Sequence, residues 1–282
     1  MAHELTPGTI VEIAAGVRRL VAPNPGMMTG PGTNTYLVGE REIAVIDPGP
    51  RIEVHVQAIC DLAPGPIRWI LVTHTHPDHS PAAAALAQTT GATLIGMPAP
   101  QGKVQDRSFQ PALIPTDGEL LKTGEFALRA VHTPGHASNH VCYRHELHRW
   151  LFTGDHIMSG STVVIDPPDG NMKHYLESLE RLKTLELAAL APGHGPVIDN
   201  PDVVIDWLIN HRLVREAKVA AALDAHPGLT LEKLTPHVYG DVDTKLHALA
   251  SRSLLAHLLK LAADGRASRS GDTWSAEPTG NK

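Results

Sequence analysis

The residues able to do chemistry concentrate in Thr73 to Ser80, which reads Thr-His-Thr-His-Pro-Asp-His-Ser. His74, His76, Asp78 and His79 directly follow Ile67-Arg-Trp-Ile-Leu-Val, an apolar run with the pattern of a buried strand. A metal ion needs several lone pairs converging about 2 Å from one point. His74 and His76, two apart on an extended chain, point to the same side, and Pro77 bends the path so that Asp78 and His79 face elsewhere. That spacing suits two adjacent ions and differs from the helical HExxH design, whose ligands sit four apart. The bland reading is a set of solvated loop histidines, and the acid at position 78 weighs against it.

Three further donors have a shared context. His136 lies in Thr133-Pro-Gly-His136, Asp155 follows Gly154, and His194 lies in Pro192-Gly-His194-Gly. Each sits beside glycine in a turn after a predicted strand, where the missing Cβ lets backbone crowd a metal centre. His55, His132, His145, His148, His156 and His174 lack that context and read as surface or hydrogen-bonded residues. His140 reads as an outer partner of a ligand histidine.

The elements that must position these donors follow from periodicity. Residues 8–22 predict one or two strands, and the Pro/Gly-rich stretch 23–32 is either a plain connection or a flap beside a site. A hairpin of buried strands turns at Gly39 to Arg41, and Arg51 to Leu62 forms a helix. A second helix over Ala82 to Thr90 is expected to be capped at Ser80-Pro81 and stopped by Gly91. Strands follow near 92–96, 126–132, 141–144, 149–153 and 187–191, with a packing helix over 172–187, while 97–118 resists assignment. Beyond 200, Asp202 to Asp224 predicts a long amphipathic helix packing through Trp207, Leu208, Leu213, Val214, Ala217 and Ala221. Two more helices, 230–239 and 246–263, precede a hairpin turning at Gly271-Asp272, the outline of a winged helix.

Composition bounds the function classes. A chain of 282 residues with 42% apolar residues can bury an ample core, in an expected domain over 1–200 that carries the donors, a linking helix over 201–225 and a winged-helix-like domain over 226–282. The net charge of −6 gives no global attraction to nucleic acid or to membranes. Residues 1–200 carry 20 acids against 14 bases and residues 201–282 carry 10 of each, so neither part is a basic patch. Cys60 and Cys142 stand apart from any ligand spacing and read as buried free thiols. The start of the chain lacks a signal-peptide pattern, and no apolar run approaches 18 residues, so a cytoplasmic protein with no membrane partner is expected.

The order His74-x-His76-x-Asp78-His79, His136, Asp155, His194 resembles the signature of the metallo-beta-lactamase fold superfamily, over about Asn34 to Pro196. The resemblance implies an α/β fold, an αββα sandwich with its site at one edge. It also implies two zinc ions: His74, His76 and His136 on one, Asp78, His79 and His194 on the other, Asp155 bridging both. Iron or manganese suits the same ligands. Two zinc ions with Asp78, Asp155 and a shared hydroxide retain about one positive charge, which favours an anionic or polarised substrate. By the same analogy, Asp78 is the catalytic residue that orients the hydroxide and receives its proton.

Fold alone does not name a substrate. Asp155, where lactamases of the commonest subclass place cysteine, argues against a dedicated antibiotic hydrolase. The winged-helix tail, Asn171-Met-x-x-Tyr175-Leu, Pro192-Gly-His-Gly-Pro and His211-Arg-Leu-Val-Arg-Glu resemble the beta-lactamase-like protein two subgroup, and the match then covers nearly the whole chain. Its members imply, first, an endoribonuclease or phosphodiesterase acting on single-stranded RNA. The alternative is a thioester hydrolase of glyoxalase II or carrier-bound acyl type. A third reading, of another class, is a winged-helix binding protein with a structural metal site. Arg252, Arg266 and Arg269 are the one local set of cations the tail offers to phosphates, and a solvated face is the plainer reading of them. The sequence argues for no particular oligomeric state, and a dimer is compatible with it.

Overall fold

A computed structural model describes residues 5–102 and 104–277. The outermost ends of the expected domains, residues 1–4 and 278–282, lie outside the described residues. The chain divides into two compact units.

The first unit holds two facing sheets. One runs in chain order through β1 (Ile10–Ala14), β2 (Val17–Val21), β3 (Asn34–Val38), β4 (Ile43–Ile46), β5 (Ile67–Leu71) and β6 (Thr93–Ile95). The other comprises β7 (Leu120–Lys122), β8 (Ala127–His132), β9 (Val141–His145), β10 (Trp150–Gly154) and β11 (Ala189–Pro192), with β11 and β7 at its edges. Val38, Ile46 and Leu71 of the first sheet meet Leu128, Tyr143 and Phe152 of the second in one buried cluster. The outer face of the first sheet buries Leu37, Val45 and Ile70 with Ile59 of α1 (Glu53–Leu62) and Leu86 of α2 (Ala83–Thr90). β3 and β4 are buried at every residue, as sequences covered on both faces must be.

Strand direction positions the site. β4 pairs with β5 in parallel across α1, and β5 with β6 across α2, so Asp47 and Thr73 leave their strands at one edge. β10 and β11 are also parallel, which brings Gly154-Asp155 and Gly193-His194 out together. The edges are laced: Asn34 N donates to Gly193 O at 2.7 Å, and Val141 N to Thr73 O at 2.8 Å.

One expectation fails locally. Ser80 is not the cap of α2: the residue preceding that helix is Ala82, which makes no side-chain cap. Ser80 Oγ instead donates to Asp106 Oδ2 at 2.6 Å. Gly91 does end the helix, in the left-handed conformation with φ 72°.

The second unit comprises residues 135–138, 164–182 and 203–282, as far as they are described. It contains α3 (Met172–Leu182), most of α4 (Pro201–Ala225), α5 (Leu231–Val238) and α6 (His247–Ala263). A small sheet joins β12 (Leu229–Thr230), β14 (Thr273–Ala276) and β13 (Ala267–Ser270), and the hairpin turns at Gly271 as expected. Val219, Leu223, Leu234, Leu254, Leu258 and Trp274 form its core.

Of the face assigned to α4 from sequence, Leu208 is buried and the other five residues are exposed. Trp207, Leu213 and Val214 are about half exposed, whereas Ile205, Leu208, Val219 and Leu223 are buried together with Arg212, Arg215 and Glu216. The buried face carries paired charges: Arg215 meets Asp241 at 2.8 Å, and Glu216 meets Lys260 at 2.9 Å and Arg266 at 2.8 Å. A search for an apolar stripe passes over such a face.

Candidate metal centre

Asp78, His79, Asp155 and His194 converge at the shared edge of the two sheets, each offering a ligand atom within 4.8 Å of the others. His194 Nε2 lies 3.1 Å from Asp78 Oδ2 and 3.3 Å from Asp155 Oδ1, and His79 Nε2 lies 3.3 Å from Asp155 Oδ1. His74 and His76 of the first unit make a second pair of donors, and His136, which belongs to the second unit, is a further one. His74 Nε2 and His76 Nδ1 are 3.0 Å apart.

The outer partners decide which ring nitrogen carries the lone pair. Asp47 is the centre of this control and was not singled out in the sequence. It is buried, with φ +50°, immediately after β4. Its Oδ1 accepts Thr73 N at 2.8 Å; its Oδ2 accepts Thr73 Oγ1 at 2.8 Å and His79 Nδ1 at 2.9 Å. Because the Thr73 hydroxyl proton goes to Asp47, Thr73 Oγ1 accepts from His74 Nδ1 at 3.1 Å. One carboxylate therefore places the lone pair of both His74 and His79 on Nε2. His194 Nδ1 donates to Gly32 O at 3.2 Å and His136 Nδ1 to Val164 O at 2.7 Å, with the same consequence.

The donor set fits metal ions. His79 Nε2 and His194 Nε2 are buried, face carboxylate oxygens at 3.3 Å and 3.1 Å, and among the described residues make no well-directed hydrogen bond. A buried imidazole nitrogen in that state is costly unless something electron-deficient meets it. Burial alone would disfavour an imidazolium at His79, but the Asp78, Asp155 and Asp47 carboxylates overcome it and hold the pKa well above its ordinary value. At His194, burial is likewise outweighed, chiefly by Asp155 and Asp78, and the pKa is raised. Burial pushes Asp78 up, yet His79 and His194 bring its pKa below the usual range. A field that draws protons to two buried rings also draws a cation.

Glycine completes the geometry. A Cβ on Gly193 would stand 2.7 Å from His79 Cε1 and 2.9 Å from Asp155 Oδ1. One on Gly154 would stand 2.4 Å from Thr73 Oγ1. The sequence expectation that glycine lets backbone crowd the centre holds at both positions.

The sequence pattern of the metallo-beta-lactamase superfamily matches residues 28–194. The chain belongs to that superfamily. A beta-lactamase-associated winged helix domain matches residues 230–274, over the second unit's helices and hairpin. A beta-lactamase-like protein 2 homolog of Drosophila melanogaster is 31% identical over 280 residues, covering 93% of this chain and 94% of that protein. An atrochrysone carboxyl ACP thioesterase of Aspergillus novofumigatus is 29% identical over 272 residues, covering 91% and 81%. A beta-lactamase domain protein from Burkholderia ambifaria shares the fold, with a TM-score of 0.82 at 23% identity over 97% of this chain and 95% of that one. The metallo-beta-lactamase fold with a C-terminal winged helix is thus the architecture of this chain, and superfamily hydrolase is its class. Among the described residues Cys60 and Cys142 form no disulfide; Cys142 is buried and Cys60 half-buried. Among the described residues no helix is long and apolar enough to cross a membrane.

Proposed function

We propose that this chain is a dinuclear-metal hydrolase of acyl thioesters carried on a phosphorylated thiol arm. In this reading His74, His76, His136, Asp78, His79, Asp155 and His194 would hold two zinc ions. Such ions, when bound, supply Lewis acidity and a water acidic enough to act as nucleophile near neutral pH. The chain's own residues supply the rest. Asp47 and Gly32 O fix the imidazole tautomers, and the buried ring of His79 keeps the inner side of the centre dry. Asp78 is the more accessible of the two clustered acids, its side chain 25% exposed against 12% for Asp155. It is therefore the carboxylate placed to take the proton of the attacking water. The water oxygen bonds to the thioester carbonyl carbon and the C–S bond breaks. The leaving thiolate is a far weaker base than an alkoxide and needs little help from a general acid.

The choice of thioester over RNA rests on the winged helix. Arg252 meets Asp166 at 3.3 Å, Arg266 meets Glu216 at 2.8 Å, and Arg269 meets Asp272 at 3.6 Å while lying over the Trp274 ring. Phosphate binding needs basic residues whose charge is not already met by carboxylates, and all three face one. A relative named an ACP thioesterase, matched over 91% of this chain and 81% of its own length, supports the same choice. The test sets zinc-loaded protein against an acyl-CoA and a labelled single-stranded RNA, with Asp78→Ala as control. The expected result is control-sensitive thioester hydrolysis with RNA left intact. Control-sensitive RNA cleavage without thioester turnover would instead establish the phosphodiesterase reading.

A further inference from the structure

Between β6 and β7, Pro98, Ala99, Pro100, Gln101, Arg107 and Gln110 line a cavity of about 440 Å³. Its lining is fastened to the metal-binding turn at Pro98 and through Asp106, the chain neighbour of Arg107. Asp106 N donates to Thr75 O at 2.7 Å, and Ser80 Oγ donates to Asp106 Oδ2 at 2.6 Å. From the other side, Asn139 Nδ2 donates to Thr75 Oγ1 at 2.8 Å and to Pro98 O at 3.2 Å. Thr75 stands between His74 and His76, so the cavity wall and the ligand turn are held as one piece.

Charge sets what the cavity would take. The Asp106 carboxylate is committed inward: its Oδ2 accepts Ser80, and its Oδ1 accepts Ser108 N at 2.9 Å and Ser108 Oγ at 2.6 Å. Arg107, next in sequence, is exposed, and among the described residues no carboxylate stands within ion-pair distance of it. Arg18, Arg129, Arg215 and Arg266, by contrast, each face an acid. A guanidinium with its charge unmet, on the wall of a cavity beside a metal turn, is a phosphate-recognition element. The remaining wall suits an amide-bearing chain, since Pro98 to Pro100 are apolar and the glutamines offer amide donors and acceptors.

The geometry points to this cavity as the subsite for the phosphorylated arm of the thioester, with Arg107 binding its phosphate. This rests on the thioesterase reading and assigns Arg107 to substrate specificity, with no part in the bond-breaking step. Wild type, Arg107→Ala, Arg107→Lys and Arg107→Glu would be assayed on an acyl-CoA, on the same acyl group borne by a carrier protein, and on its N-acetylcysteamine thioester, which has no phosphate. Arg107→Ala should raise KM about 10- to 100-fold on the phosphorylated substrates, the range set by losing one charge-assisted hydrogen bond. Arg107→Lys should recover part of that loss and Arg107→Glu deepen it, with kcat, bound metal and N-acetylcysteamine turnover unchanged throughout. An effect on the coenzyme A substrate alone would assign the subsite to free acyl-CoA, and one on the carrier substrate as well to the shared arm. Equal losses on charged and uncharged thioesters, or no loss on either, would overturn the subsite while leaving the thioesterase reading standing. No thioester turnover by wild type, or RNA cleavage whose KM depends on Arg107, would overturn both.

Discussion

At the scale of single residues, Asp47 governs the centre without touching the proposed ions. Its Oδ2 is the acceptor that keeps Nδ1 of His79 protonated and, through Thr73, does the same for His74. Asp47→Asn conserves shape and tolerates the positive φ at this position, since asparagine visits the left-handed region readily. Its amide, turned with the oxygen toward Thr73 N, would face His79 with a donor and move the ring proton to Nε2. The expected outcome is metal affinity lowered about 10- to 100-fold, as for other lost outer partners of histidine ligands. Chelator competition would read it, with circular dichroism showing the fold intact. Unchanged affinity would mean that the tautomer is set elsewhere.

At the scale of elements, the parallel pairs β4–β5 and β10–β11 deliver every acid of the candidate centre to one edge, and glycines let the two ends close on each other. Gly193→Ala should therefore remove bound metal and activity together, because the new Cβ meets His79 and Asp155 at under 3 Å. Gly124→Ala, where a Cβ meets nothing within 4 Å, is the matched control and should leave both unchanged. Metal content after dialysis distinguishes the two. The donors of this centre were legible in sequence because four of them crowd into Thr73 to Ser80 and the others sit in Gly-flanked turns. Asp47 was not, since a lone acid after a strand looks like any turn residue and its partner His79 is 32 positions away. The face of α4 was misread for a related reason: its buried side carries Arg212, Arg215 and Glu216, and their partners come from distant segments such as Asp241 and Lys260. Ser80 was read as a cap because local pattern could not show Asp106 reaching it. Long-range polar pairing leaves no periodic trace, whereas apolar alternation and glycine placement do.

At the scale of the whole molecule, three buried histidines away from the metal donors tie stability to pH. Burial lowers the pKa of His55 to about 4, of His145 to about 4 and of His257 to about 3. Their folded-state values lie below the unfolded value near 6.5, so the unfolded chain binds more protons in the interval between. The stability they contribute is complete above about pH 6.5 and is lost as pH falls, at about 1.4 kcal/mol per pH unit for each ring still neutral in the fold. Thermal unfolding of the metal-loaded protein should shift to markedly lower temperature between pH 7 and pH 5. Among the described residues neither ring nitrogen of His257 has a hydrogen-bond partner, so His257→Leu removes a proton-uptake site without breaking such a bond. That variant should show a shallower decline by about one proton's worth; an identical slope would contradict a neutral buried His257.

The account turns on two ions acting together in the set His74, His76, Asp78, His79, His136, Asp155 and His194. The most direct test is a zinc titration of chelator-stripped protein, following acyl-CoA hydrolysis and bound metal in the same samples, with His79→Ala alongside. Wild type should bind two equivalents and gain most of its activity with the second, while His79→Ala should bind one and stay inactive. Full activity at one equivalent, or an active His79→Ala protein holding a single ion, would contradict the dinuclear mechanism.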